Sequence, residues 1–116
     1  RFAFLESGCG WVPYWLWRLD FEYENLSPEL ADNATMKPSD YFRRQCYIAF
    51  EPDEPYLKGV VDFLGEDRLL FASDFPHASD HGVEIVDEAL ALESTLSKKT
   101  LKKILWDNPM AFYNEG

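Results

Sequence analysis

Positive charge is scarce in this sequence. Eleven Lys and Arg stand against 21 Asp and Glu, a formal charge of −10 over 116 residues. A phosphate backbone would be repelled, which argues against nucleic acid as a partner, and an anionic membrane is disfavoured for the same reason. The one basic cluster, Lys98, Lys99, Lys102 and Lys103, reads as a solvated helix face. No apolar run reaches the roughly 20 residues of a membrane-spanning helix, and no signal peptide is visible. Cysteine is limited to Cys9 and Cys46, far apart and in neither CxxC nor zinc spacing. They read as buried or half-buried thiols, not as a disulfide scaffold, so a cytoplasmic setting is the default expectation. A Walker-type phosphate loop, a GxGxxG fingerprint and a serine nucleophile elbow are all missing. Gly8-Cys9-Gly10 is too short to count as a phosphate loop.

Apolar and aromatic residues are plentiful, at 47% and 16%, so the chain reads as globular, with much aromatic surface to bury in a core or against a partner. Three short, nearly continuous apolar runs have the look of buried parallel strands: Phe2 to Leu5, Cys46 to Phe50 and Leu69 to Ala72. Helical spacing separates them. Val12, Trp15, Leu16, Leu19, Tyr23 and Leu26 form one apolar stripe, with Pro13 tolerable in the first turn. Ser27 to Pro38 is polar with two prolines and is expected to be a loop. A brief helix from Ser39 to Gln45, capped by Ser39, should follow. Leu57, Val60, Val61 and Leu64 repeat the helical pattern, with Gly65 as the stop. Val83, Val86, Ala89 and Leu90 do so again. Leu101, Ile104 and Leu105 mark a last helix capped by Ser97, broken at Asp107-Asn108-Pro109 and restarted as a short turn through Phe112.

Strands alternating with helices predict an α/β fold: a single domain of three parallel strands with crossover helices. Three such strands leave two edges and one bare face. The chain opens on a strand-like run, not on Met. It is therefore expected to be a piece of something larger, or to self-associate and bury its open sheet.

In βα architecture ligands bind beyond the C-terminal ends of the strands. Those ends deliver Glu6-Ser7-Gly8-Cys9-Gly10, then Glu51-Pro52-Asp53-Glu54, then Ser73-Asp74-Phe75-Pro76-His77 followed by Asp80 and His81. Asp74 directly follows an apolar run, so its carboxylate sits at the rim. It could bind a metal or act as a general base, or simply cap the next turn. His77 and His81 are candidate ligands or proton carriers, or histidines bonded to backbone. Glu6 sits just past the first strand, beside two glycines that let the backbone pass close to a ligand, or is a plain strand-end acid paired with Arg18 or Arg43. Glu51 and Asp53 could form a negative lip, or belong to an ordinary turn between Pro52 and Pro55. Trp11, Trp15 and Trp17 pack a helix on its sheet or anchor a partner.

The run Leu70-Phe71-Ala72-Ser73-Asp74-Phe75-Pro76-His77 resembles the last barrel strand of the amidohydrolase-related family of metal-dependent hydrolases and decarboxylases. Leu64-Gly65-Glu66-Asp67-Arg68 is similar to its lead-in. Lys103 to Tyr113 resembles its closing helix, with Pro109 a departure. Phe4 to Trp15 and Tyr41 to Tyr47 are similar to earlier segments, so the resemblance spans the chain. It implies a portion of a TIM-like (β/α) barrel. It also implies a divalent metal, zinc foremost, with Asp74 binding it or taking a proton from the metal-bound water, and that water attacking a carbon centre of a small-molecule substrate, or a related decarboxylation. Asp74 and Glu6 are then the catalytic candidates, and His77, Trp11 and Glu51 the substrate-binding ones. Ser7 stands where many relatives carry His. The family's His-x-His pair and middle-strand His have no counterpart among the two histidines here. Catalytic zinc typically has three protein ligands, so the chain is expected to be inactive alone. The competing reading is a small α/β ligand-binding or interaction module without turnover.

Overall fold

In the computed structural model, residues 1–30, 33–77 and 84–114 are described. The predicted Asp80, His81 and Val83 lie outside the described residues, as do Ala31 and Asp32 of the expected loop.

The elements run β1 (Phe2–Phe4), α1 (Val12–Leu30), α2 (Pro38–Gln45), β2 (Cys46–Phe50), α3 (Leu57–Leu64), β3 (Leu69–Phe71) and α4 (Ile85–Ala91). A 3-10 turn (Leu92–Ser94), α5 (Lys98–Lys102), a π-helical turn (Lys103–Asp107) and α6 (Asn108–Asn114) complete the chain. The sheet is parallel in the order β1-β2-β3. Phe4 pairs with Ile48 and Ile48 with Leu69, so every strand ends at the same edge.

Alternation sends Ile48, Phe50 and Leu69 to one face, where they meet Val12 and Leu16 of α1, Val60 and Leu64 of α3, and Ile104 of the π turn in one core. Burying each such side chain contributes about 1.5–3 kcal/mol. The opposite face is not bare at its centre, contrary to expectation. Tyr47, Ala49 and Leu70 are buried there, and the Phe112 ring of α6 lies 5.1 Å from that of Tyr47. β1 remains an open edge, with Phe2 67% exposed.

Several local expectations change. α1 runs on to Leu30 through Pro28, shortening the predicted loop. Its inward face is narrower than the stripe: Val12 and Leu16 are buried while Trp15 and Leu26 are exposed. Ser39 does not cap α2. The cap position is Lys37, and Ser39 is the second residue of the helix, its N–H and hydroxyl both donating to Asp20 of α1 at 2.9 and 2.6 Å. In α4 the buried positions are Ile85 and Ala89, with Val86 and Leu90 outward. Ser97 does cap α5, accepting from the Thr100 N–H. The chain does not break at Asn108: Pro109 falls in the first turn of α6, where its missing N–H costs little. Asn108 is buried, and its amide donates to the carbonyls of Glu66 and Leu69 at 2.7 and 2.8 Å, tying the closing helix to the start of β3.

Candidate active-site rim

Parallel pairing in register brings the loops after β1, β2 and β3 to one rim. Among the described residues, only two non-glycine residues have a left-handed backbone, and both are rim carboxylates: Glu6 (φ 56°) and Asp74 (φ 49°). That conformation costs an L-residue roughly 1–2 kcal/mol, and such strain concentrates at functional sites.

Asp74 follows β3 by three residues. Its main-chain oxygen accepts from the His77 N–H at 2.8 Å, so backbone closes the turn that the carboxylate was the alternative candidate to cap. One carboxylate oxygen lies 3.2 Å from Nδ1 of His77; the Asp74 side chain is 30% exposed and that of His77 69%. A half-sheltered acid beside an accessible imidazole is a pair that can hold and pass a proton.

Glu6 is exposed at the end of β1. Neither predicted arginine pairs with it: Arg18 bonds to Glu22, one turn further along α1, and Arg43 reaches the Phe63 carbonyl at 3.4 Å. Trp11 is half-buried. Its indole N–H donates to the Gly8 carbonyl at 2.9 Å and its ring meets Phe4 edge-on at 5.7 Å. It therefore fastens the loop, and it also lines an apolar cleft of about 340 Å³ with Phe4, Trp15, Leu16, Tyr41 and Phe42. Glu51 is half-buried in the loop after β2.

The residue that sequence reasoning passed over is Glu54. Its carboxylate accepts from the Cys9 N–H at 2.8 and 3.0 Å, the Gly10 N–H at 2.9 Å and the Glu51 N–H at 2.9 Å. The signal for it was present: an acid in the second strand-end loop, opposite a Gly-Cys-Gly stretch whose amides need an acceptor. Gly8 has φ +59°, and a Cβ there would stand 2.8 Å from Glu54 Oε1. Both thiols are free. Cys9 is buried, and burial first, then the Glu54 charge, pushes its thiol far above the usual range, which disfavours the thiolate that a nucleophile needs.

Among the described residues no three His, Cys, Asp or Glu side chains converge as a metal site. Asp74 and His77 alone fall short of the usual ligand set.

The amidohydrolase family model matches residues 1–114, and the chain belongs to that family. A γ-resorcylate decarboxylase from Polaromonas is 26% identical over 101 residues, covering 84% of this chain and 29% of that protein. Among solved structures, an amidohydrolase from Mycobacterium avium subsp. paratuberculosis superposes with a TM-score of 0.78 at 23% identity, covering 94% of this chain and 26% of that one. A dihydroxybenzoic acid decarboxylase from Polaromonas, bound to manganese and 2-nitroresorcinol, gives 0.68 at 25% identity, covering 90% and 31%. The chain spans less than a third of the length of these relatives. Its three parallel strands and their helices correspond to part of an amidohydrolase-type barrel. Among the described residues no helix is long and apolar enough to cross a membrane.

Proposed function

We propose that this chain supplies the last-strand rim of a metal-dependent enzyme that removes a carboxyl group from a small phenolic acid, and that it does not turn over substrate alone. The observation that carries this reading is Asp74, a half-sheltered carboxylate at the end of β3, in a left-handed backbone and backed by His77 at 3.2 Å. Membership of a family with decarboxylase relatives supports the reaction class. In such a reaction the ring carbon–carboxyl bond breaks, CO2 leaves, and the ring carbon takes a proton. Asp74 with His77 is the group on this rim to hold that proton, and Glu6, Glu51 and Trp11 flank the substrate. The missing ligands of a divalent metal, manganese or zinc, come from outside the described residues. The open β1 edge supports self-association as the way the isolated chain buries apolar surface. Two free thiols fit a reducing, cytoplasmic setting.

The test is light scattering of the purified chain, with bound manganese and zinc counted on the same sample and CO2 release followed with 2,6-dihydroxybenzoate. An oligomer with little metal and no CO2 release is the expected result. A monomer holding one metal per chain would overturn it, as would any CO2 release by the isolated chain.

A further inference from the structure

We propose that Glu54 is the positioning residue of the rim: its carboxylate is a built-in anion seated in a cradle of three main-chain N–H groups, and it locks the loop carrying Glu6 to the loop carrying Glu51. The role assigned to that lock rests on the reading of this edge as the active-site rim; the lock itself does not.

Both carboxylate oxygens are used. Oε1 accepts from Cys9 and Gly10, and Oε2 from Cys9 and Glu51. Two of these amides belong to the loop after β1 and one to the loop after β2, 45 residues away in sequence for the Cys9 contact. Successive N–H groups turned toward one point make an anion-binding concavity. Glu54 fills it from within the chain.

The cradle also opens α1. The Cys9 carbonyl accepts the Val12 N–H at 3.1 Å, and α1 has no acidic residue in its own first turn. The negative charge that favours a helix start is therefore delivered by Glu54 from the neighbouring strand's loop. Glu54 is itself held, since its N–H donates to the Glu51 carbonyl and its carbonyl accepts the Leu57 N–H, each at 3.2 Å. The Trp11 indole, bonded to Gly8, belongs to the same unit.

Only a carboxylate satisfies this arrangement. A glutamine would have to turn its NH2 group toward an N–H that now donates, which leaves a donor facing a donor. Amide hydrogen exchange on the full chain, resolved by residue, reads this directly and needs neither metal nor turnover. A failure of the proposed reaction would thus leave this result standing, and the reverse holds too. In Glu54→Gln, exchange at Cys9, Gly10 and Glu51 should rise by about tenfold or more, the scale of losing a bond to a charged acceptor. Ile48 and Val60 should keep their protection, and the Trp11 indole resonance should shift. In Glu54→Ala, formate should restore protection at those three amides, whereas chloride at equal ionic strength should not. A merely structural contact would move all amides together and would not respond to formate. Unchanged exchange at the three amides in Glu54→Gln overturns the proposal. A uniform rise across Ile48 and Val60, or no response to formate, overturns it equally.

Discussion

Replacing Gly8 by alanine tests the rim geometry with one methyl group. Two costs arise. Alanine in the left-handed conformation (φ +59° at Gly8) costs about 1–2 kcal/mol. The new Cβ would stand 2.8 Å from Glu54 Oε1, closer than atoms tolerate, so the carboxylate must move. Its movement weakens at least one charge-assisted bond to Cys9 or Gly10, each worth about 1.5–3 kcal/mol. Together these predict a loss of about 3 kcal/mol, and a fall in Tm of about 10 °C for a chain of this size. Gly59 is the control: it lies inside α3, and nothing stands within 4 Å of a Cβ there. Gly59→Ala should stabilise by about 0.5–1 kcal/mol through helix propensity. Urea unfolding of both variants, of Glu54→Gln, and of Gly8→Ala combined with Glu54→Gln, completes a double-mutant cycle. In the Glu54→Gln background the cost of Gly8→Ala should shrink toward the backbone cost alone. Equal costs in the two backgrounds, or a Gly8→Ala variant as stable as the parent, would refute the reasoning.

Glu6 stands exposed at φ 56°, so Glu6→Gly should raise stability by about 1 kcal/mol in urea unfolding while removing a candidate catalytic acid; a destabilised variant would mean that the side chain makes a contact worth more than the backbone strain. Glu66 accepts from the Thr100 hydroxyl at 2.8 Å and neighbours Lys103 and Lys99, and first that hydrogen bond, then the lysines, hold its carboxyl below the usual glutamate range. A depressed folded-state pKa gives stability that is present above the ordinary value of about 4.3 and is lost as pH falls through the lower folded value. Tm measured against pH should therefore drop in that acid window, and Glu66→Gln should flatten the drop; an unchanged profile in the variant would assign the acid loss to other carboxylates.

Much of the architecture was legible because it rests on local patterns. Period-3.6 spacing marked α3, and Gly65 stopped it with φ +92°. Ser97 capped α5 through the N–H three residues on. Cys46–Phe50 was an uninterrupted apolar run and is the central strand, with its last four residues buried. Where several side chains compete for one face, spacing was less decisive. In α4 the buried face is Ile85 and Ala89, because the core accepts one set of a helix's apolar residues and leaves Val86 and Leu90 outside. Pro28 and Pro109 both read as breakers, yet both sit in helices, Pro28 in the last turn of α1 and Pro109 in the first turn of α6 directly after the π turn.

The sequence by itself determined the α/β class, the parallel strand direction implied by the crossovers, and the three strand-end clusters, including Asp74, Glu6 and Glu51. These follow from residue types and short-range spacing, and strand direction alone sends every cluster to one rim. Only the tertiary structure decided how those clusters are held. It placed Glu6 and Asp74 in left-handed backbone, set His77 against Asp74, and laid Phe112 over Tyr47 on the sheet's second face. It also joined Glu54 to the amides of Cys9 and Gly10. No local rule pairs an acid with N–H groups some 45 positions away. That contact exists because β1 and β2 lie side by side, and an amide cradle opening α1 needs a negative charge.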